Sequence, residues 1–352
     1  MDHGGNPVLF HALTPTPMSQ PATATSATTV VIGGTIAIDH VKTPVDEAAG
    51  LLGGSAAYAA LAASFFCRPV ELVGIIGHDF PKAHLAMLEN HGISLAGVER
   101  SANESFTWSG EYHANMNERT THRVGLNVLE DWQVKVPAAA AASTIVVLAN
   151  MSPANQMEML GQCGIVAGDG APAAARFVIA DTMDLWIEIA NARLHDVLPH
   201  LALFVLNEGE ARELAATSNL VRAGQILLEK GPRHVVIKLG EFGAMLFSRA
   251  AAGGQSAQIS QLTPEFFRCS AWPLDHVADP TGAGDTFLGA MAGYLAAQGP
   301  PPYDTAALRQ AIIQGSILAS FTCEDFSTRR LESLAPADLS QRLQAFRQAT
   351  HW

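Results

Sequence analysis

Asp279-Pro280-Thr281-Gly282-Ala283-Gly284-Asp285-Thr286, running on into Phe287-Leu288-Gly289-Ala290-Met291-Ala292-Gly293-Tyr294-Leu295, is the stretch from which the fold is read. Its first half is small, glycine-rich and acidic. Its second half carries apolar residues at 287, 288, 291, 294 and 295, the stripe of a half-buried helix. A tight glycine loop opening a helix turns backbone N–H groups toward solvent at the positive end of a dipole, which makes an anion site, most often for phosphate. A carboxylate there would repel the anion, so Asp285 needs a purpose. Taking the proton from a hydroxyl about to attack a phosphoryl group supplies one.

A plainer reading makes the stretch a glycine turn before a core helix, with Asp285 as a dipole partner in the first turn. The set Asp279, Gly282, Ala283, Gly284 and Asp285 favours the functional reading, and at these residues the chain resembles the ribokinase-like (PfkB) family of small-molecule kinases. That family carries D-T-x-G-A-G-D late in its chain. Here Pro280 and Thr281 fill the second and third places, and both aspartates and both glycines remain. The resemblance implies that Gly282, Ala283 and Gly284 form the anion hole and that Asp285 is the catalytic base. It also implies the fold, a three-layer α/β/α sandwich with a mostly parallel central sheet and a small β-sheet lid.

Working outward toward the N-terminus, Val30-Val31-Ile32-Gly33-Gly34 reads as a buried strand and turn. Asp39 follows, placed just past a strand end, where open α/β sheets bind ligands. The resemblance implies that it holds substrate hydroxyls. Gly53-Gly54 opens a helix of small residues and matches the family's G-G-x-x-x-N-x-A, with Tyr58 where the family has asparagine. Gly53, Gly54 and Tyr58 are thereby expected at the substrate. A nucleophile elbow around Ser55 fails because its last glycine is Ala57. Val70 to Phe80 resembles the family's V-G-x-x-G-x-D strand and turn, and a helix from Pro81 to about Asn90 follows, with Pro81, Leu85 and Leu88 on one face.

At Phe106 the pattern changes. Phe106, Trp108, Gly110 and Tyr112 alternate with polar residues, His113 to Asn117 make a turn, and 120–128 return, as an antiparallel hairpin with one apolar face. Val41 to Leu52 is an excursion able to pair beside it. In the family this is the lid over the substrate. Trp108 and Tyr112 are placed to stack on a substrate, to form the lid's core, or to make a subunit contact. His113 and His122 read as solvated. The resulting division is a leader at 1–27, a kinase core at 28–37, 53–104 and 128–352, and a lid at 38–52 and 105–127.

Alternation then resumes. Strands are expected at 143–150, at Phe177 to Thr182, which ends in the acid Asp181 near the ligand edge, and at Leu203 to Leu206. Asn207 and Glu210 read as a helix cap with its capping box. They also resemble the family's N-x-x-E motif, which implies magnesium held near Glu210 through water, as suits a hard oxygen ligand. His234 to Gly243 resembles the family's K-x-G-x-x-G segment, which places Lys238 and Gly240 beside the nucleotide. Ala311 to Phe321 is an apolar helix. The resemblance adds Ala319 and Cys323 near the adenine, and Thr281, to the nucleotide side. Leu331 to Phe346 reads as one closing helix.

Composition narrows the function further. The chain has 352 residues, 48% hydrophobic and 15% charged, with a net charge of −12. That charge argues against a nucleic-acid or anionic-membrane surface. The four cysteines, Cys67, Cys163, Cys269 and Cys323, form no C-x-x-C pair, so a reducing compartment is the default and a cytoplasmic location is expected. No apolar run reaches the roughly 18 residues of a membrane span. A dinucleotide fingerprint would need a glycine where Phe287 stands, and no G-x-x-x-x-G-K-[ST] is present.

The expectation is an ATP- and Mg2+-dependent kinase of a sugar or sugar-like alcohol, monomeric or dimeric through the lid. A nucleoside kinase of the same fold is the alternative. A ligand sensor without turnover is a third reading, which an intact Asp285 disfavours.

Overall fold

Residues 29–166, 176–249 and 265–350 are described by the computed structural model; the expected leader at 1–27 lies outside them. The first strand, β1 (Val30–Gly33), is buried on both faces. Val30 and Ile32 enter one apolar cluster and Val31 another, as the two-residue period of a strand requires. The first cluster gathers the helices Ser55–Ala63, Ala283–Ala297 and Thr305–Thr322. The second gathers Pro153–Gln162 and Leu220–Glu229 on the opposite face. The result is the three-layer α/β/α architecture.

The chain leaves β1 for a separate sheet: β2 (Ala37–Lys42) and β3 (Glu47–Gly53). It returns through the helix Ser55–Ala63 to β4 (Val70–Ile76) and β5 (Ile93–Arg100), then goes back for β6 (Phe106–Tyr112) and β7 (Arg119–Gly125). Strands β8 (Ile145–Leu148), β9 (Phe177–Ala180), β10 (Leu203–Asn207), β11 (His234–Lys238), β12 (Ala244–Ser248) and β13 (Glu265–Cys269) complete the large sheet. Its order is β13-β12-β11-β10-β9-β8-β1-β4-β5, and that of the small sheet is β3-β2-β6-β7. Pairing is parallel from β5 through β11; β12 alone runs against that direction, antiparallel to both β11 and β13. Strand order reverses between β1 and β8, the position at which open sheets leave a crevice at their C-terminal ends.

Two glycines set how closely two helices on one side of the large sheet approach. A β-carbon on Gly289 would overlap the Ala59 backbone, and one on Gly293 would crowd that of Ala63. The helices Ser55–Ala63 and Ala283–Ala297 therefore pack backbone to backbone, and the turns at Gly53-Gly54 and Gly282 to Gly284 lie side by side.

Four details differ from the sequence reading. Asp39, past the end of β1 and within the expected lid segment, lies on a strand, β2, that the sequence reading did not resolve. β5 and β13 were not anticipated; β5 carries Gly97 beside a register shift, which blurs its alternation. Pro81 caps its helix, which begins at Lys82. The closing helix is two, Arg329–Glu332 and Pro336–Thr350, because Pro336 lacks the N–H to continue a helix and restricts the residue before it.

Candidate active site

The glycine loop is shaped by Asp279. Its fully buried carboxylate accepts the Thr281 N–H at 2.8 Å and the Ser327 N–H at 3.2 Å, tying the loop to the segment after the helix Thr305–Thr322. Gly282 then takes φ +75° as the N-cap of the helix Ala283–Ala297. A side chain there would also overlap the ring of Tyr58, which is 1% exposed and packs behind the loop. The Ala283 N–H turns to the Pro280 carbonyl at 3.2 Å, while among the described residues those of Gly282 and Gly284 meet no protein acceptor. The loop therefore presents a partial anion cradle whose two free amides belong to the glycines.

Asp285 occupies the first turn of that helix and stays partly accessible. Crowding by protein raises its carboxyl above the usual aspartate range, against the pull of Lys238 and Arg119. Asp39 is 5% exposed, and its Oδ1 has no hydrogen-bond partner. Burial first, then the charges of Asp279 and Asp285, push its carboxyl up to about 8. A β-carbon on Gly53 would fall on the Asp39 carboxylate, so that glycine makes the room Asp39 occupies.

Lys238 ends β11, its Nζ 2.9 Å from where a Gly284 β-carbon would stand. Asn207 and Glu210 close the expected capping box: Glu210 N–H donates to Asn207 Oδ1 at 2.9 Å, and Asn207 N–H donates to Glu210 Oε2 at 2.7 Å. Burial raises the Glu210 carboxyl to about 6, with Lys238 opposing. Asp181, just past β9, is buried with an unpartnered Oδ1; burial and then Asp285 hold its carboxyl well above the usual range.

Three carboxyl groups, Asp181, Glu210 and Asp285, thus converge on Lys238, Glu210 and Asp285 also feel Arg119, and Asp39 and Asp279 add further negative charge beside Asp285. Such an excess of hard oxygen calls for a cation. Among the described residues no three His, Cys, Asp or Glu side chains come together closely enough to hold a metal by themselves. Magnesium keeps several waters and binds through one or two carboxylates plus phosphate oxygens. Glu210 and the orphaned oxygen of Asp181 are the donors that would hold it.

The small sheet covers this ground. Tyr112 and Thr281 share a hydroxyl–hydroxyl hydrogen bond of 3.3 Å, and Asn117 Nδ2 donates to Glu241 Oε1 at 3.4 Å. Trp108 lies over Gly110, and its Nε1–H donates to Thr121 Oγ1 at 3.3 Å. Gly54, at φ +91°, starts the other helix turn. Gly240 takes φ +56° in the turn Gly240–Phe242, beside Asn117. Ala319 is partly buried, and Cys323 caps its helix, its carbonyl accepting the Ala278 N–H at 2.8 Å. Burial pushes the Cys323 thiol to about 12, so it is inert at neutral pH. His113 and His122 are exposed, beside Thr120 and Glu111.

Sequence reasoning noticed Asp181 as an acid at the ligand edge without giving it a role, and it passed over Arg119 and Ser327. The position of Asp181 after a predicted strand was the available signal. Arg119 and Ser327 reach the site through tertiary folding and left no local mark.

The profile of the pfkB family of carbohydrate kinases matches residues 29–334 of this chain. A cytidine kinase from Thermococcus kodakarensis is 26% identical over 271 residues, 75% of this chain and 88% of that protein. Among solved structures, a putative ribokinase II from E. coli in complex with ATP and Mg2+ superposes with a TM-score of 0.69 at 17% identity, over 90% of this chain and 99% of that one. A nucleoside kinase from Methanocaldococcus jannaschii does so with a TM-score of 0.67 at 16% identity, over 90% and 98%. At these identities the structural likenesses speak for the fold.

Proposed function

Because the chain belongs to the pfkB family of carbohydrate kinases, we propose that it moves the γ-phosphoryl group of ATP to a primary hydroxyl of a sugar or sugar-like alcohol, with Asp285 as general base. The observation that carries this reading is the placement of Asp285: a partly buried carboxylate in the first helical turn behind a glycine cradle with two unengaged amides.

Asp285 accepts the hydroxyl proton as the acceptor oxygen bonds to the γ-phosphorus. The bond from that phosphorus to the β,γ-bridging oxygen breaks, and ADP leaves with the electron pair. The Gly282 and Gly284 amides stabilise charge on the transferring group. Lys238, beside Gly284, adds a fixed positive charge. Asp39 orients the acceptor through its hydroxyls. Magnesium, held near Glu210 and Asp181, would offset the triphosphate charge. Asn207 fixes Glu210 through the capping box, and Gly240 lets backbone approach the nucleotide. The small sheet, resting on Thr281 through Tyr112, excludes water that would otherwise take the phosphoryl group. The solved E. coli relative binding ATP and Mg2+ supports the choice of donor.

The test is ADP formation over a panel of sugars and related alcohols, with wild type and Asp285→Asn in parallel. Acceptor-dependent ADP release that the variant loses supports the reading. Release that persists in the variant removes Asp285 from the mechanism.

A further inference from the structure

One cation at the site has no task so far. Arg119 opens β7, and its register partner on β6 is Tyr112, so the two side chains share the inner face of the small sheet. Two contacts hold this end of the hairpin over the large sheet. The Tyr112 and Thr281 hydroxyls meet at 3.3 Å, which ties the hairpin to the glycine loop. Asn117, just before Arg119 in the chain, donates from Nδ2 to Glu241 Oε1 at 3.4 Å and lies beside Gly240 in the turn Gly240–Phe242. Arg119 is thereby held over the ground between the loop with two unengaged amides and the turn expected beside the nucleotide.

Nothing in the protein holds its side chain. Among the described residues the Arg119 guanidinium makes no hydrogen bond and no ion pair, although the chain carries 33 acidic residues against 21 lysines and arginines. Lys42, on the outer face of the same sheet, is paired with Glu111. The charge of Arg119 is nonetheless felt inside the site, by Asp285, Glu210 and Tyr112. A solvated arginine on the outside of the sheet would be unpaired too, but it would not act on those groups.

The cradle leaves work for such a cation. The Gly282 and Gly284 amides and Lys238 all approach from the large sheet. A phosphoryl group in transfer spreads its charge over its equatorial oxygens, so donors on one side leave part of that charge uncovered. A guanidinium offers a planar fork of N–H donors that fits two phosphate oxygens at once.

We infer that Arg119 is a further catalytic residue, its guanidinium binding the γ-phosphoryl group from the side of the small sheet and stabilising the charge that builds there during transfer. This rests on the phosphotransferase reading above and adds a residue to it. The sheet that carries Asp39 then contributes one group to the chemistry as well.

The experiment measures kcat and KM with the best acceptor for wild type, Arg119→Ala, Arg119→Lys and Asp285→Asn. Arg119→Ala should lower kcat by about 10²–10³, the effect of losing one donor to the developing charge, and leave the acceptor KM within about threefold. Arg119→Lys keeps the charge without the fork and should recover only part of the loss. Added guanidinium ion should restore activity to Arg119→Ala and none to Asp285→Asn, a rescue that a packing role would not give. A kcat loss below about tenfold, or a larger one that guanidinium does not rescue, overturns the inference and leaves the kinase reading standing.

Nucleotide binding decides the case in which no alcohol is phosphorylated. Affinities for a non-hydrolysable ATP analogue and for ADP, each with Mg2+, are compared by calorimetry in wild type and Arg119→Ala. A loss of about tenfold or more confined to the triphosphate, as one charge-assisted hydrogen bond would give, supports Arg119 at the γ-phosphoryl group while the kinase reading fails. An equal loss for both nucleotides, or none for either, overturns the inference.

Discussion

The two sheets of this protein bury different things. In the large sheet, β1, β8 and β9 are apolar on both faces and lie under helices on each side. In the small sheet only one face is apolar, the other carries exposed ion pairs, and β7 is exposed along nearly its whole length. A sheet clamped between two layers holds groups in fixed positions, which is what Asp285, Lys238 and the glycine cradle require. Under the proposed function the chemistry belongs to the first and contacts with the acceptor to the second, and substitutions in each should separate the two.

The largest effect belongs to the clamped region. Asp285→Asn keeps the shape of the first helical turn and removes the base. It should lower kcat by about 10²–10⁴ while a nucleotide titration shows little change in affinity. Gly282→Ala strikes the same loop through its backbone. It forces φ +75° on a residue with a side chain and drives that side chain into the Tyr58 ring. A destabilisation of about 1–3 kcal/mol is expected from strain and overpacking, read by denaturant unfolding together with a fall in kcat.

Asp39 connects the two sheets and should show it through pH. Its carboxyl, ordinarily near 3.8, titrates in the folded protein at about 8. Between those values the unfolded chain has released a proton that the native protein still holds. Its contribution to stability is therefore intact below pH 3.8 and lost as pH rises toward 8. Asp39→Asn does not titrate, so its Tm should gain on wild type as pH rises from 5 to 8.5. A Tm difference that is flat over this range would mean the side chain is solvated.

Smaller again is Asn207→Ala, which removes the acceptor of the capping box at the end of β10. It should cost about 0.5–2 kcal/mol in unfolding experiments, and Asn207→Asp should restore the cap. The smallest effect is predicted on the outer face of the small sheet. Lys42→Ala breaks an exposed pair with Glu111 and should change neither Tm nor kcat measurably. A clear loss of activity there would mean that the outer face takes part in function.

The same contrast governs what could be read in advance. The glycine loop and the Asn207–Glu210 cap are local motifs, with partners a few residues apart, and both were legible. The inner face of β6 followed from simple alternation at Trp108, Gly110 and Tyr112. What joins the small sheet to the site is non-local. β2 pairs with β6 in parallel across more than sixty residues, and Tyr112 meets Thr281 across 169 positions. Asp39 was assigned to the lid segment but not to a strand for that reason, since nothing in Ala37 to Lys42 names the partner it pairs with. Asp181 and Arg119 matter only through neighbours that folding supplies. The closing helix was read through Pro336 because its apolar spacing continues across the break.

The most direct test is the pH dependence of kcat with saturating ATP and acceptor. Asp285 should lose activity as pH falls, because protonation removes the base. Its burial-raised carboxyl places that loss above 3.8, at about tenfold per pH unit below the midpoint. Asp285→Asn should leave a low rate without this limb. A wild-type kcat that stays level down to pH 4, or a variant that keeps both the rate and the limb, would contradict the assignment of Asp285 as the base.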